Sequence, residues 1–127
     1  MSQEIINLEL KLRIDQCLSL IPPDYYAIAN IEALKSQLEK TETLLVDVRE
    51  TSEYQLGHIP NAINIPLRTL VSNVEKIPRD RPVVLYCSTG YRAAMGVLTL
   101  HLLGYDNIQG FPPGFVTWKN AEEMITH

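Results

Sequence analysis

Two short runs limit what this chain can become. TLLVDV, from Thr43 to Val48, and PVVLYC, from Pro82 to Cys87, are rich in β-branched residues and almost wholly apolar. A strand without alternating polar residues has both faces covered, which is the condition of a strand inside a mainly parallel sheet. Parallel neighbours need a crossover rather than a hairpin, and that crossover is usually a helix. Stretches with helical character stand where crossovers are required: TSEYQL, then LRTLVSNVEK, then YRAAMGVLTLHLL closed by Gly104. Further short strands are expected at AINI and NIQ. The fold class is therefore α/β, and in such sheets ligands bind beyond the carboxyl ends of the strands, where Asp47 and Cys87 stand.

The segment before these strands reads differently. In EIINLELKLRIDQCLSLIPPDYY, Ile6, Leu10, Ile14, Cys17, Leu18 and Ile21 recur at helical spacing, while Ile6, Leu8, Leu10, Leu12 and Ile14 alternate as in a strand. Glu, Leu, Lys, Arg and Gln dominate, and no turn residue interrupts before Pro22 and Pro23, so helix is favoured. Its stripe is expected to pack on the chain's own body, with Cys17 as a small buried hydrophobe. YYAIA is expected to form an edge strand and Asn30 to cap a helix through IEALKSQLEK. The division that follows is a helical extension over residues 1–24 and an α/β domain over 25–127.

Composition excludes several classes. A chain of 127 residues with a formal charge of −4 suits one domain and carries no basic footprint for nucleic acid. No apolar run approaches a membrane span, and MSQEIINLELKLRID intersperses acids and bases where a signal peptide needs a basic start and an apolar core. The protein is expected to be cytoplasmic. Cys17 and Cys87 are far apart and unaccompanied by clustered histidines, which argues against both a disulfide framework and a metal site.

The loop CSTGYR holds the chemistry. It leaves a buried strand at Cys87, turns through Ser88, Thr89 and Gly90, and enters a helix near Tyr91 or Arg92. Successive backbone N–H groups and a helix N-terminus then point at whatever lies over the Cys87 sulfur, a field that stabilises an anion and favours the thiolate. No histidine is adjacent to serve as a base, so activation is electrostatic. The alternative is a small buried residue at a strand end.

Taken together, LLVDVRETSEYQLGHIPNAINIP, VVLYCSTGYRAA, LGYDNI and PGFVTW resemble the rhodanese family of sulfurtransferases in order and spacing, over about residues 42 to 120. The resemblance implies a three-layer α/β/α body around a mainly parallel sheet. It also implies an enzyme that needs no metal or organic cofactor and moves sulfane sulfur, with thiosulfate as assay donor, to cyanide or a thiol. Cys87 resembles the family nucleophile that carries the sulfur as a persulfide. Ser88, Thr89, Gly90, Tyr91 and Arg92 would cradle the outer sulfur, and Arg92 would either face an anionic donor or anchor the loop. Asp47 and Arg49 would brace the site, His58 would serve the turn, and Trp118 and Tyr105 would be core or rim aromatics. His101 and His127 carry no motif and are expected on the surface or on a helix face. A protein persulfide is a further possible partner.

One feature departs from the family pattern. GFPPGF places Pro113 before Gly114 where two glycines are common, which implies a different path for the loop bordering the site and leaves substrate choice open. Two other functions compete. A docking or regulatory module on the same fold would need no chemistry from Cys87. A cysteine-dependent phosphatase would need a loop one residue longer than the four, Ser88 to Tyr91, that separate Cys87 from Arg92.

Overall fold

A computed structural model describes residues 2–127, in the order α1 (Gln3–Ser19), α2 (Ile31–Lys40), β1 (Leu44–Asp47), α3 (Thr51–Gln55), β2 (Ile63–Asn64), β3 (Val83–Tyr86), α4 (Tyr91–Leu102), β4 (Ile108–Gly110) and α5 (Gly114–Asn120). The two apolar runs form the central strands. They pair in parallel with Leu44 opposite Val83 and Asp47 opposite Tyr86, and the full order is β2-β1-β3-β4, every pair parallel. Because successive side chains alternate across a strand, each run feeds two cores. Val46, Val48, Val83 and Leu85 pack toward Leu70, Val97 and Leu100, while Leu45, Val84 and Tyr86 pack toward Leu34, Phe111 and Trp118. The body is thus a three-layer α/β/α structure, and Cys87 shares the α4-facing core.

Asn30 caps α2 by accepting from the Ala33 N–H at 2.8 Å. The short strands expected in AINI and NIQ are β2 and β4. Three expectations need correction. LRTLVSNVEK is not a continuous helix but two tight turns, Leu67–Thr69 and Val71–Lys76, interrupted at Asn73. Pro66 starts the segment, and the Asn73 side chain takes up the Thr69 carbonyl at 2.9 Å, so no regular α ladder develops. YYAIA contributes one parallel bridge, Ala27 to Gly110, because Tyr25 and Tyr26 have φ of 54° and 59° and cannot continue a strand.

The third concerns α1, which is helical but buries no residue. Ile14, Cys17 and Ile21 are partly covered, whereas Ile6, Leu10 and Leu18 are 43%, 51% and 51% exposed. Apolar residues also occupy the far side at Ile5, Leu8 and Leu12, all exposed. Only the second half of α1 meets α4, where Arg13 Nη1 donates to the Leu102 carbonyl at 3.0 Å and the Cys17 thiol to that of His101 at 3.7 Å. Among the described residues no helix is long and apolar enough to cross a membrane.

Candidate active site

Cys87 follows β3 directly and is 1% exposed. Gly90, at φ +102°, turns the chain into α4 and offers no side chain to cap it. The sulfur fills that role: Cys87 Sγ accepts from the Gly90 N–H at 3.1 Å and from the Ala93 N–H at 3.4 Å. Ala93 is the third residue of α4, the position whose N–H a capping serine or aspartate normally takes. Two N–H donors and the positive end of a helix therefore converge on one sulfur atom, an arrangement that favours negative charge there.

The outer side of the loop explains why its N–H groups face inward. Its carbonyls are bonded elsewhere, Cys87 O accepting from the Phe115 N–H at 2.8 Å and Ser88 O from the Val116 N–H at 3.2 Å, both in the first turn of α5. Gly114 permits this approach. It lies at φ +70°, and a Cβ there would collide with the Ser88 and Cys87 carbonyl oxygens. The proline-bearing turn belongs to the same assembly: a Cβ on residue 90 would lie 3.1 Å from the Pro112 carbonyl oxygen.

Arg92 anchors the loop. Its Nη1 and Nη2 bind the two carboxylate oxygens of Glu53, on α3, at 2.6 and 3.1 Å, and Nη2 also reaches Ser88 Oγ at 3.2 Å. Glu53 Oε1 additionally accepts from the Glu50 N–H at 3.0 Å, closing a capping box on α3. The Arg92 guanidinium, helped by that N–H, holds the Glu53 carboxyl down to about 2 against burial. Arg92 is raised in turn by its bond to Glu53.

Asp47 and Arg49 form a second pair on the neighbouring strand end, with side chains 0% and 5% exposed. Arg49 Nε lies 3.0 Å from each Asp47 carboxylate oxygen, and Nη2 bonds Oδ2 and the Gly57 carbonyl, both at 2.7 Å. The guanidinium also lies 4.3 Å from the Phe115 ring centroid. One buried cation so ties β1, the turn after α3 and α5 together. Burial, with Asp47 second, pushes the neighbouring Tyr86 phenol up, so it stays protonated. Its oxygen accepts the Ile59 N–H at 3.1 Å.

Comparison with known proteins bears on this geometry. Residues 30–121 match the Rhodanese-like domain family. The chain belongs to that family. A sulfurtransferase of Allochromatium vinosum is 35% identical over 68% of this chain and 82% of its own length. A thiosulfate sulfurtransferase, GlpE, of Coxiella burnetii is 30% identical over 75% of this chain and 88% of its own. A rhodanese-related protein from Thermoplasma volcanium superposes with a TM-score of 0.71 at 29% identity, over 79% of this chain and 96% of that one. Other relatives are longer: the chain spans 51% of a putative sulfur carrier protein, YrkF, of Bacillus subtilis.

Within the rhodanese fold, the loop residues named from the sequence, Cys87 through Arg92, line one turn, with Thr89 and Tyr91 exposed to solvent. Asp47 and Arg49 are bonded to each other and to the Gly57 carbonyl, and neither hydrogen-bonds the sulfur. His58 is a turn residue, its ring stacked on Tyr54 at 3.6 Å between centroids and its Nδ1 donating to the Tyr54 carbonyl at 2.9 Å. Trp118 and Tyr105 are buried, as core aromatics. His101 lies on a face of α4, half-buried against Tyr26 at 4.0 Å between ring centroids. Reading the sequence missed two residues and the purpose of a third. Ala93 offers only its backbone, and no sequence signal marks it. Glu53 is signalled as the acid three residues beyond the Glu50 cap, but its partner is far along the chain. Gly114 is visible in GFPPGF without its purpose.

Proposed function

We propose that this chain is a sulfurtransferase that carries sulfane sulfur on Cys87. The observation that supports it most is the sulfur of Cys87 held between the Gly90 and Ala93 N–H groups in a loop of four residues. In the first half-reaction the Cys87 thiolate attacks the outer sulfur of thiosulfate. The S–S bond breaks, sulfite leaves with the electron pair, and a Cys87 persulfide forms. In the second, cyanide or a thiolate attacks the outer sulfur, and the Cys87 thiolate is released. The N–H groups of Ser88 through Arg92 would surround that outer sulfur and spread its negative charge. Arg92, bound to Glu53, keeps the loop in shape for both steps. Asp47 and Arg49 support it from behind. Both cysteines are free, and a thiolate carrier suits a reducing compartment such as the cytoplasm.

The test is mass spectrometry of the intact protein before and after thiosulfate. One sulfur atom should be added at Cys87 and none at Cys17, cyanide should remove it, and Cys87→Ser should neither load nor transfer. Full transfer by Cys87→Ser would refute the reading. A protein that never loads would instead fit a docking module on the same fold.

A further inference from the structure

A groove of about 240 Å³ opens between the end of α1, the Pro22–Ala27 link and α4. Ile21, Tyr25, Ala94, Val97 and Leu98 are among the residues that line it, together with Gly90 and Pro112. The wall from Cys17 to Ala27 lies outside residues 30–121, so it is an addition to the family scaffold. Three of its polar groups are already engaged. The Cys17 thiol donates to the His101 carbonyl, His101 Nε2 donates to the Ile108 carbonyl at 3.1 Å, and the Tyr26 hydroxyl donates to the Leu20 carbonyl at 3.4 Å. Among the described residues no lysine or arginine lines the space.

The groove runs up to the loop that holds the reacting atom, although Cys87 itself is not part of its lining. Gly90 and Ala93, whose N–H groups hold Cys87 Sγ, are both part of its lining. Gly90 thus borders both the groove and the sulfur, its nitrogen lying 3.1 Å from Sγ. The loop's own cation is committed elsewhere, since both guanidinium nitrogens of Arg92 that face Glu53 are bonded to it. An apolar surface without a free cation suits an uncharged body, whereas a small dianion gains nothing from it.

We propose that this groove binds the alkyl or aryl body of an uncharged organic thiol that takes the sulfur from Cys87. The inference rests on the sulfurtransferase reading. The bound thiolate RS⁻ attacks the outer sulfur of the Cys87 persulfide. The Cys87–S bond breaks, RS–S⁻ forms carrying the charge of the outer sulfur, and Cys87 leaves as a thiolate, with no external oxidant or reductant. At about 30 Å³ for a water molecule, the space suits roughly six to eight non-hydrogen atoms.

Two measurements decide it. Protein loaded with thiosulfate and freed of excess is discharged by ethyl to pentyl thiols, whose thiol acidities are nearly equal. The second-order rate should rise about fourfold per methylene. In Ala94→Leu, which fills the groove, and Leu98→Asp, which charges it, the ratio of pentyl to ethyl rates should fall toward one. Both positions are exposed on α4, so folding is spared, and the ratio cancels any uniform change in activity. In Cys87→Ser, iodoacetamide should alkylate Cys17 more slowly when methyl pentyl sulfide is present, and a carboxylated thioether should give no protection. A loaded persulfide with a flat series, or equal slopes in wild type and both variants, overturns this inference and leaves the sulfurtransferase reading standing. Absence of protection at Cys17 overturns it as well. Failure of Cys87 to load overturns the sulfurtransferase reading, and the acceptor role with it.

Discussion

Replacing Gly114 with alanine tests how the loop is held. The residue lies at φ +70°, and the new Cβ would meet the Ser88 and Cys87 carbonyl oxygens, the latter at 2.8 Å. Left-handed backbone costs a non-glycine residue about 1–2 kcal/mol. Relieving the collision means moving α5 away from the loop, at about 1–3 kcal/mol for overpacking. The same movement weakens the bonds from the Phe115 and Val116 N–H groups, worth ~1 kcal/mol each. The expected loss is about 3–5 kcal/mol, or roughly 10–20 °C in melting temperature for a domain of this size. Gly104→Ala is the control, since Gly104 also has positive φ, at +91°, but a Cβ there meets nothing within 4 Å. It should cost only the backbone strain, about 1–2 kcal/mol. Calorimetry of both variants gives the difference. Single-turnover loading of Cys87 at a temperature where Gly114→Ala is folded gives the functional consequence, a fall of at least about tenfold as the loop amides tilt. Equal melting temperatures for the two variants would show that the α5–loop approach contributes nothing beyond φ.

Three further outcomes follow from the site. Glu53, with its carboxyl lowered from 4.5 to about 2, contributes stability that is complete above its ordinary value and is lost as pH falls from 4.5 toward 2. Both side chains of its pair with Arg92 are about one-third exposed, so water screening limits the effect to about 1 kcal/mol. Urea unfolding of Glu53→Gln should therefore show that deficit at pH 7 and lose it near pH 2; a deficit independent of pH would contradict the ion-pair account. Asp47→Asn leaves the buried Arg49 charge without its partner and should cost about 3–5 kcal/mol in denaturant titration, with a loss under about 1 kcal/mol arguing against the brace. Inserting a glycine between Gly90 and Tyr91 separates the Ala93 N–H from the sulfur. Sulfur transfer should drop by about a hundredfold or more, and the unmodified chain should leave aryl phosphates intact. Robust phosphate hydrolysis by the unmodified protein would reverse the assignment of loop length to sulfur.

Local conformation was legible from the residues wherever it depends on near neighbours. The unbroken apolar runs of β1 and β3 announce strands covered on both faces, Asn30 announces the start of α2, and Gly104 the end of α4. Cys87 followed by small residues and then a helix announces the loop that turns from β3 into α4. The same logic failed where spacing was ambiguous. LRTLVSNVEK has helical spacing but breaks at Asn73, and α1 carries apolar residues around its circumference, so periodicity could not say which side meets α4 or how much of it would be covered. Only the tertiary structure decided that Arg92 answers to Glu53, that the Ala93 N–H reaches the sulfur, that Gly114 exists to let α5 take the loop carbonyls, and that Cys17 to Ala27 wall a groove beside Gly90. Backbone preference and burial period are properties of a few adjacent residues, whereas an ion partner 39 residues away or a cavity between two helices is set by how whole elements cross once their apolar faces are packed.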